Sequence, residues 1–165
     1  MKRTFLAVAV LAISGCATFT PQPPVAIGTP FDSAAHSAYL AAGTGTVKGQ
    51  GFLRQQGGGV VTCAGSKVML IPATPYFREA MDIARSGRQI QPAPYEAQQL
   101  SKHSTCDAQG NFQFSDVAAG PWFVTTEVTW SVGYNSQGGG LLAEVSVSDD
   151  QVTEILLTDA HRVGR

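Results

Sequence analysis

The chain is poor in charge. Charged residues make up 14% of it, and 11 basic side chains stand against 12 acidic ones. There is no basic stripe, which disfavours nucleic-acid binding, since that draws most of its affinity from phosphate neutralisation. Long apolar runs are also missing: the longest, Phe5–Ile13, is less than half of the roughly 20 residues that span a bilayer. No Gly-x-Ser-x-Gly, His-Glu-x-x-His or phosphate-loop pattern occurs. The three histidines, His36, His103 and His161, are far apart in sequence. Neither an enzymatic activity nor a cofactor is expected. Cysteine is scarce, with three residues in all.

What the N-terminus does contain is a secretory signal: the basic start Met1-Lys2-Arg3, a short apolar middle and small residues at its end. Ile13-Ser14-Gly15-Cys16 resembles the lipobox of bacterial lipoproteins. The resemblance implies cleavage after residue 15, a diacylglyceryl thioether on Cys16 and acylation, palmitate included, of the new amine. Several acyl chains make a stable anchor, because each buried CH₂ contributes roughly 0.8 kcal/mol. The partner implied is therefore a membrane, held by lipid without being spanned. Ala17 follows the cysteine where inner-membrane lipoproteins of Gram-negative bacteria tend to carry Asp. The expected address is the cell envelope, at the outer membrane in a Gram-negative source. Loss of residues 1–15 leaves nine basic against twelve acidic residues, a net charge of −3.

With Cys16 given to lipid, Cys63 and Cys106 remain. Two thiols in an exported chain most simply form a disulfide. A loop of that length stabilises by about 4 kcal/mol in the chain-entropy account. The competing arrangement is a zinc site of Cys63, His103 and Cys106. The three-residue step from His103 to Cys106 favours it, and the want of a fourth ligand opposes it.

Residues 17–31 are Pro-rich and read as an extended tether lifting the domain off the membrane. Residues 32–43 predict a short helix capped by Asp32 or Ser33 and ended by Gly43, with His36 on its surface. From Thr44 the pattern is β. Thr46–Arg54 carries Gly49 and Gly51, which mark a bulge or close packing. Val60–Cys63 and Lys67–Ile71 are strand-like. Thr74-Pro75 starts a helix, with Phe77, Ala80, Met81 and Ala84 at helical spacing and Arg78 placed to pair with Asp82. Residues 74–104 form an insertion, after which alternation resumes. The segment from Trp122 to Val132 puts Trp122, Val124, Thr126, Val128, Trp130 and Val132 on one face and Phe123 and Glu127 on the other. Asn135–Gly140 reads as a Gly-rich loop. Leu141–Val147 and Gln151–Thr158 complete the strands.

About seven short strands separated by turns predict a mainly β fold, an antiparallel sandwich of two sheets. Burial of each large apolar side chain, at about 1.5–3 kcal/mol, accounts for most of the alternation. The run Thr105-Cys106-Asp107-Ala108-Gln109-Gly110-Asn111-Phe112-Gln113-Phe114, followed by Val117 to Trp122, resembles the carboxypeptidase regulatory-like domain. So do Gly45-Thr46-Val47-Lys48-Gly49 and Val68 to Pro72. The resemblance covers roughly residues 44–158 and implies a transthyretin-like sandwich. It carries over no catalytic residue, because Gly110 serves the turn and Phe112 and Phe114 the core. The expected organisation is a signal peptide over 1–15, a lipidated cysteine, tether and helix over 16–43, and a sandwich over 44–165 with the insertion at 74–104.

Binding is expected on loops of the insertion, where Tyr76, Arg78, Arg85, Arg88 and Tyr95 gather the residue types that anchor interfaces. The plainer alternative is that the insertion only packs on the sandwich. Lys48, Glu127 and Asp159 are the residues that would form an internal isopeptide bond, with Lys48 on a polar face counting against it. The function expected is a lipid-anchored accessory module engaging an envelope protein or a surface glycan. A site for enzyme or metal chemistry on the insertion, and a purely structural spacer, stand as the alternatives.

Overall fold

A computed structural model describes residues 22–163. The signal peptide, Cys16 and the tether as far as residue 21 lie outside the described residues.

Two sheets face each other. In the first, β1 (Gly45–Arg54) is central. Strand β5 (Asn111–Val117) pairs antiparallel along one edge, and β8 (Val152–Leu157) pairs parallel along the other. Gly51 turns both its backbone groups to the β5 side: its N–H donates to Gly110 and its carbonyl accepts from Cys63. The short strand β2 (Val60–Thr62) therefore takes over where β5 ends. The second sheet runs β4 (Lys102–Thr105), β3 (Lys67–Pro72), β6 (Gly120–Val132), β7 (Asn135–Val147) and β9 (Arg162–Val163).

The mainly β two-sheet sandwich read from the sequence is what forms, with three amendments. The β1–β8 pair is parallel, so the sheets are not wholly antiparallel. Two very short strands, β4 and β9, had no alternation long enough to read. Residues 135–140 are not a loop but the first half of β7, in unbroken register with β6. Their glycines fit that strand closely: a Cβ on Gly138 would lie 2.0 Å from the Val128 carbonyl oxygen.

Between the sheets the alternation is satisfied as expected. Val47, Leu53, Val68, Leu70, Phe112, Phe114, Trp122, Val124, Val128 and Leu157 form one buried cluster. The Trp122 indole donates to the Ala118 carbonyl at 2.9 Å, so its polar edge is not stranded. Gly49 and Gly51 serve close packing: a Cβ on Gly49 would meet the Phe112 ring at 2.5 Å, and one on Gly51 the Cys63 sulfur at 2.9 Å. The register shift lies instead between Gly45 and Val47. Cys63 and Cys106 form a disulfide, Cα–Cα 5.7 Å.

A second core lies outside the sandwich. Helix α2 (Pro75–Arg85) lays Tyr76 and Phe77 on the outer face of the second sheet, against Ile71, Phe123 and Leu142. The short helix α3 (Tyr95–Gln98) adds Ala97. Phe123 is thus 1% exposed although it stands on the face away from the sandwich core. Farther along β6, Glu127, Thr129 and Ser131 on that same face are exposed.

The N-terminal segment belongs to this second core. Val25 bridges to Ile90. The N–H groups of Gly28 and Thr29 each donate to the Glu79 carboxylate at 2.7 Å, and the Thr29 hydroxyl donates to it at 2.5 Å. Ile27 and Phe31 pack beneath. Residues 22–31 are therefore a strap fastened to the insertion rather than part of a free tether. Helix α1 (Ser33–Leu40) follows, its Asp32 cap accepting from Ala34 N at 2.9 Å. It ends at Leu40, three residues before Gly43, which instead lies against the Val117 carbonyl.

His36 departs from its expected surface place. It is 2% exposed and stacks on Phe31. Its Nδ1 donates to the Asp32 carbonyl, which leaves Nε2 to accept from the Thr74 hydroxyl at 2.7 Å. Thr74, the N-cap of α2, accordingly makes no side-chain cap bond. Nothing local to residues 32–43 showed that α2 would cover the face of α1 that carries His36.

Candidate functional site

The insertion does not assemble the five residues expected to bind there. Tyr76 is buried, and burial raises its phenol pKa. Arg78 makes a bidentate pair with Glu144 on β7, at 2.8 and 2.6 Å, instead of pairing with Asp82. Arg85 takes Asp82 at 3.0 Å. Both guanidinium groups stand 5.7 Å from the Phe123 ring centroid, within cation–π range. Three of the five residues thus fasten the insertion to the sheet. Arg88 and Tyr95 remain exposed, Tyr95 at 71%.

The residues of the zinc and isopeptide alternatives do not come together either. Cys63 and Cys106 are spent on each other, and His103 points to solvent on β4, opposite Met69. Lys48 and Glu127 are exposed on different sheets, while Asp159 accepts from the Arg54 N–H at 3.3 Å.

The two sheets differ in what covers them. The second carries the insertion; the first presents its outer face to solvent. Strand register sets the chemistry of that face. Lys48 stands between Gln113 on β5 and Glu154 on β8, and Gln50 stands between Asn111 and Leu156. These rows line an open groove of about 900 Å³, with Ser104, Thr105 and Asp107 along one side.

Several of these groups are held in place. Asp107 Oδ1 accepts from the N–H groups of Gln109 and Asn111 at 2.9 and 2.8 Å, and the Asn111 amide donates to both its oxygens. The Asn111 side-chain bond, then its backbone N–H, hold the Asp107 carboxyl below its ordinary pKa. Gly110, at φ +82°, permits the turn that aims these donors. The Gln50 amide donates to the Gln109 carbonyl at 2.8 Å, tying the second row to the same turn. Leu156, 58% exposed, gives the floor one apolar patch. Carboxamides, an ammonium, carboxylates and hydroxyls thus line one groove, and they offer both donors and acceptors.

Sequence reading placed Lys48 and Gln113 on the polar side of their strands but gave no reason to prefer them. Alternation marks the outward face of every strand. The missing signal is cover, which depends on which sheet the insertion chooses.

No protein-family model and no curated protein sequence matches the chain. Solved structures do match. The chain is similar to a Pseudomonas aeruginosa protein described as a "putative carbohydrate binding protein", with a TM-score of 0.69 and 25% identity over 79% of this chain and 98% of that one. It also matches the minor pilin GBS52 of Streptococcus agalactiae, at 15% identity and a TM-score of 0.39, over 72% of this chain and 45% of that one. The first likeness is one of fold over nearly the whole neighbour; the second is too distant to carry an argument.

Proposed function

We propose that this protein is a non-catalytic binding module of the cell envelope that holds a glycan in the groove over β1, β5 and β8. The observation that carries the reading is the asymmetry of the sandwich: one outer face is covered by the insertion over Ile71, Phe123 and Leu142, and the other is left open with ordered polar side chains. Sugars are recognised by such sets of donors and acceptors, each bonding a hydroxyl. The carbohydrate-binding description of the Pseudomonas aeruginosa neighbour supports this choice of ligand class.

The reading extends to the parts of the chain that the sequence alone addresses. Residues 1–15 are a signal peptide, and Cys16 carries the lipid that keeps the module on a membrane, the outer one in a Gram-negative cell. The sandwich is a carboxypeptidase regulatory-like domain serving as a scaffold. The binding site moves from the insertion to the open sheet, because Tyr76, Arg78 and Arg85 are occupied in packing. Recognition is the reading for the groove: its Asp107 carboxylate is committed to the donors of its own turn, and its Glu154 stands beside Lys48.

The test is a glycan-array screen of the mature protein followed by calorimetry on the best ligand. Lys48→Ala and Gln113→Ala are expected to weaken binding at least tenfold while leaving the melting temperature unchanged, because both side chains are exposed. Arg88→Ala and Tyr95→Ala are expected to change nothing. Binding that survives the groove substitutions and is lost with Arg88 or Tyr95 would return the site to the insertion. No glycan bound at all would end the proposal.

A further inference from the structure

The β6–β7 hairpin outruns the strand beside it. Pairing of β6 with β3 covers Trp122–Thr125, whereas pairing with β7 continues to Val132 and Asn135. Gly133 and Tyr134 make the turn, and Gly133 takes φ +59° as a two-residue hairpin loop demands of its first residue. Past β3, β6 has β7 on one edge and, among the described residues, no strand on the other. The direction of the backbone groups is fixed by the Pro121 carbonyl, which accepts from Ala73. Odd-numbered residues of β6 therefore point their N–H and C=O groups to the β3 side. Beyond β3 those residues are Thr129 and Ser131, both exposed.

Free edges in natural sheets are blunted by charge, proline or a bulge. Beyond Glu127 this edge has none of them. No charged residue and no proline occurs from Val128 to Ala143, and the hairpin register is unbroken. The segment Val128-Thr129-Trp130-Ser131-Val132 also reads alike in both directions, apolar at its ends and centre with a small hydroxyl on either side.

We propose that this edge pairs with the same edge of a second copy of the chain, antiparallel, with the two-fold axis at Trp130. Thr129 of each copy then faces Ser131 of the other and exchanges both N–H···O bonds with it, four in total. Glu127 falls opposite Gly133 of the second copy, so no like charges meet. The apolar side chains of both strands stay on the face where Trp130 already packs against the core. A second copy is the fitting occupant because the pattern from Val128 to Val132 is complementary to itself in this orientation and brings no like charges together.

Trp130 would sit opposite its own copy in a non-hydrogen-bonded pair, at a Cα separation of about 4.5 Å, inside the range a disulfide spans. Val132 would be displaced from its copy by four residues, about 13 Å. In the full chain in its own membrane, Trp130→Cys is expected to give an oxidised dimer on a non-reducing gel, and Val132→Cys none. Adding Ser131→Pro to Trp130→Cys removes one edge N–H, at a position where sheets tolerate proline, and is expected to abolish the dimer. Should Trp130→Cys fail to accumulate, formaldehyde treatment of the wild-type chain is expected to give a dimer that Ser131→Pro loses. Equal cross-linking by Val132→Cys, a dimer indifferent to Ser131→Pro, or no dimer of the wild-type chain would each overturn the proposal.

Discussion

Arg78 on α2 and Glu144 on β7 are 66 residues apart in sequence and joined by two hydrogen bonds, the shorter 2.6 Å. Glu144 is the sheet's hold on the insertion. The bond from Arg78 is the largest influence drawing the Glu144 carboxyl below its usual pKa of 4.5, and the same bond raises the guanidinium further. Both side chains are more than a third exposed, so water screens the pair and its worth is limited to about 0.5–1 kcal/mol. Glu144→Gln is expected to destabilise by about that amount in a urea titration at neutral pH. Arg78→Ala should cost more, because it also removes the cation–π contact with Phe123.

Acid should loosen the strap, the insertion and the Asp107 turn. Glu79, Asp107 and Glu144 all have their pKa lowered in the folded chain, Glu79 chiefly by the Thr29 hydroxyl and then by the Gly28 and Thr29 N–H groups. A lowered folded pKa means the unfolded state binds protons first as the pH drops. The stabilisation is therefore complete above the ordinary carboxyl values of 3.8 to 4.5 and is lost as pH falls through the lower folded values. Thermal melts from pH 7 to 2 are expected to fall only below about pH 4.5. Glu79→Gln should flatten part of that fall.

The disulfide should dominate the stability of the sandwich. Cys63 and Cys106 close a sequence separation of 43 residues. The loop-closure account assigns that about 4 kcal/mol. Replacing both with alanine is expected to lower stability by that order, measured by chemical denaturation. The pair is buried, so reductant should act on the native protein only slowly.

His36 is expected to be a stability residue although it lies in an N-terminal helix of eight residues. Its removal leaves the Thr74 hydroxyl without its partner in a buried place and opens space beside Phe31 and Phe77. His36→Ala should cost about 1–3 kcal/mol. Thr74→Val, which removes the same bond without the cavity, should cost less, and calorimetry of the two variants would show the difference.

Lipidation is testable without any structure. Cys16→Ala is expected to abolish labelling by a clickable palmitate analogue and to release the protein from the membrane fraction. Labelling that persists would overturn the lipobox reading.

The sandwich was legible where neighbours in sequence carried it. Phe112 and Phe114 alternate with polar residues over a strand of seven, and Gly110 stands where the Asp107 turn needs positive φ. Asp32, one of two adjacent candidates, caps α1, and Thr74-Pro75 announced the start of α2. Residues 135–140 misled because glycine is common in loops, whereas here three glycines let β7 lie close to its neighbours. The cluster of Tyr76, Arg78 and Arg85 misled for another reason: aromatic and arginine side chains anchor intramolecular packing by the same physics that anchors partners.

The sequence by itself determined the strand periods, the Asp107 turn and the start of each of the first two helices, because each is set by backbone sterics or by residues a few positions apart. Only the tertiary structure decided which outer face is sealed and which is open. The difference rests on contacts that cross long stretches of chain: Arg78 to Glu144, Glu79 to Gly28 and Thr29, His36 to Thr74. Alternation tells a strand which side is polar. It takes the arrival of α2 on one sheet, burying Phe123 there and leaving Lys48 and Gln113 in water on the other, to turn one polar side into a groove.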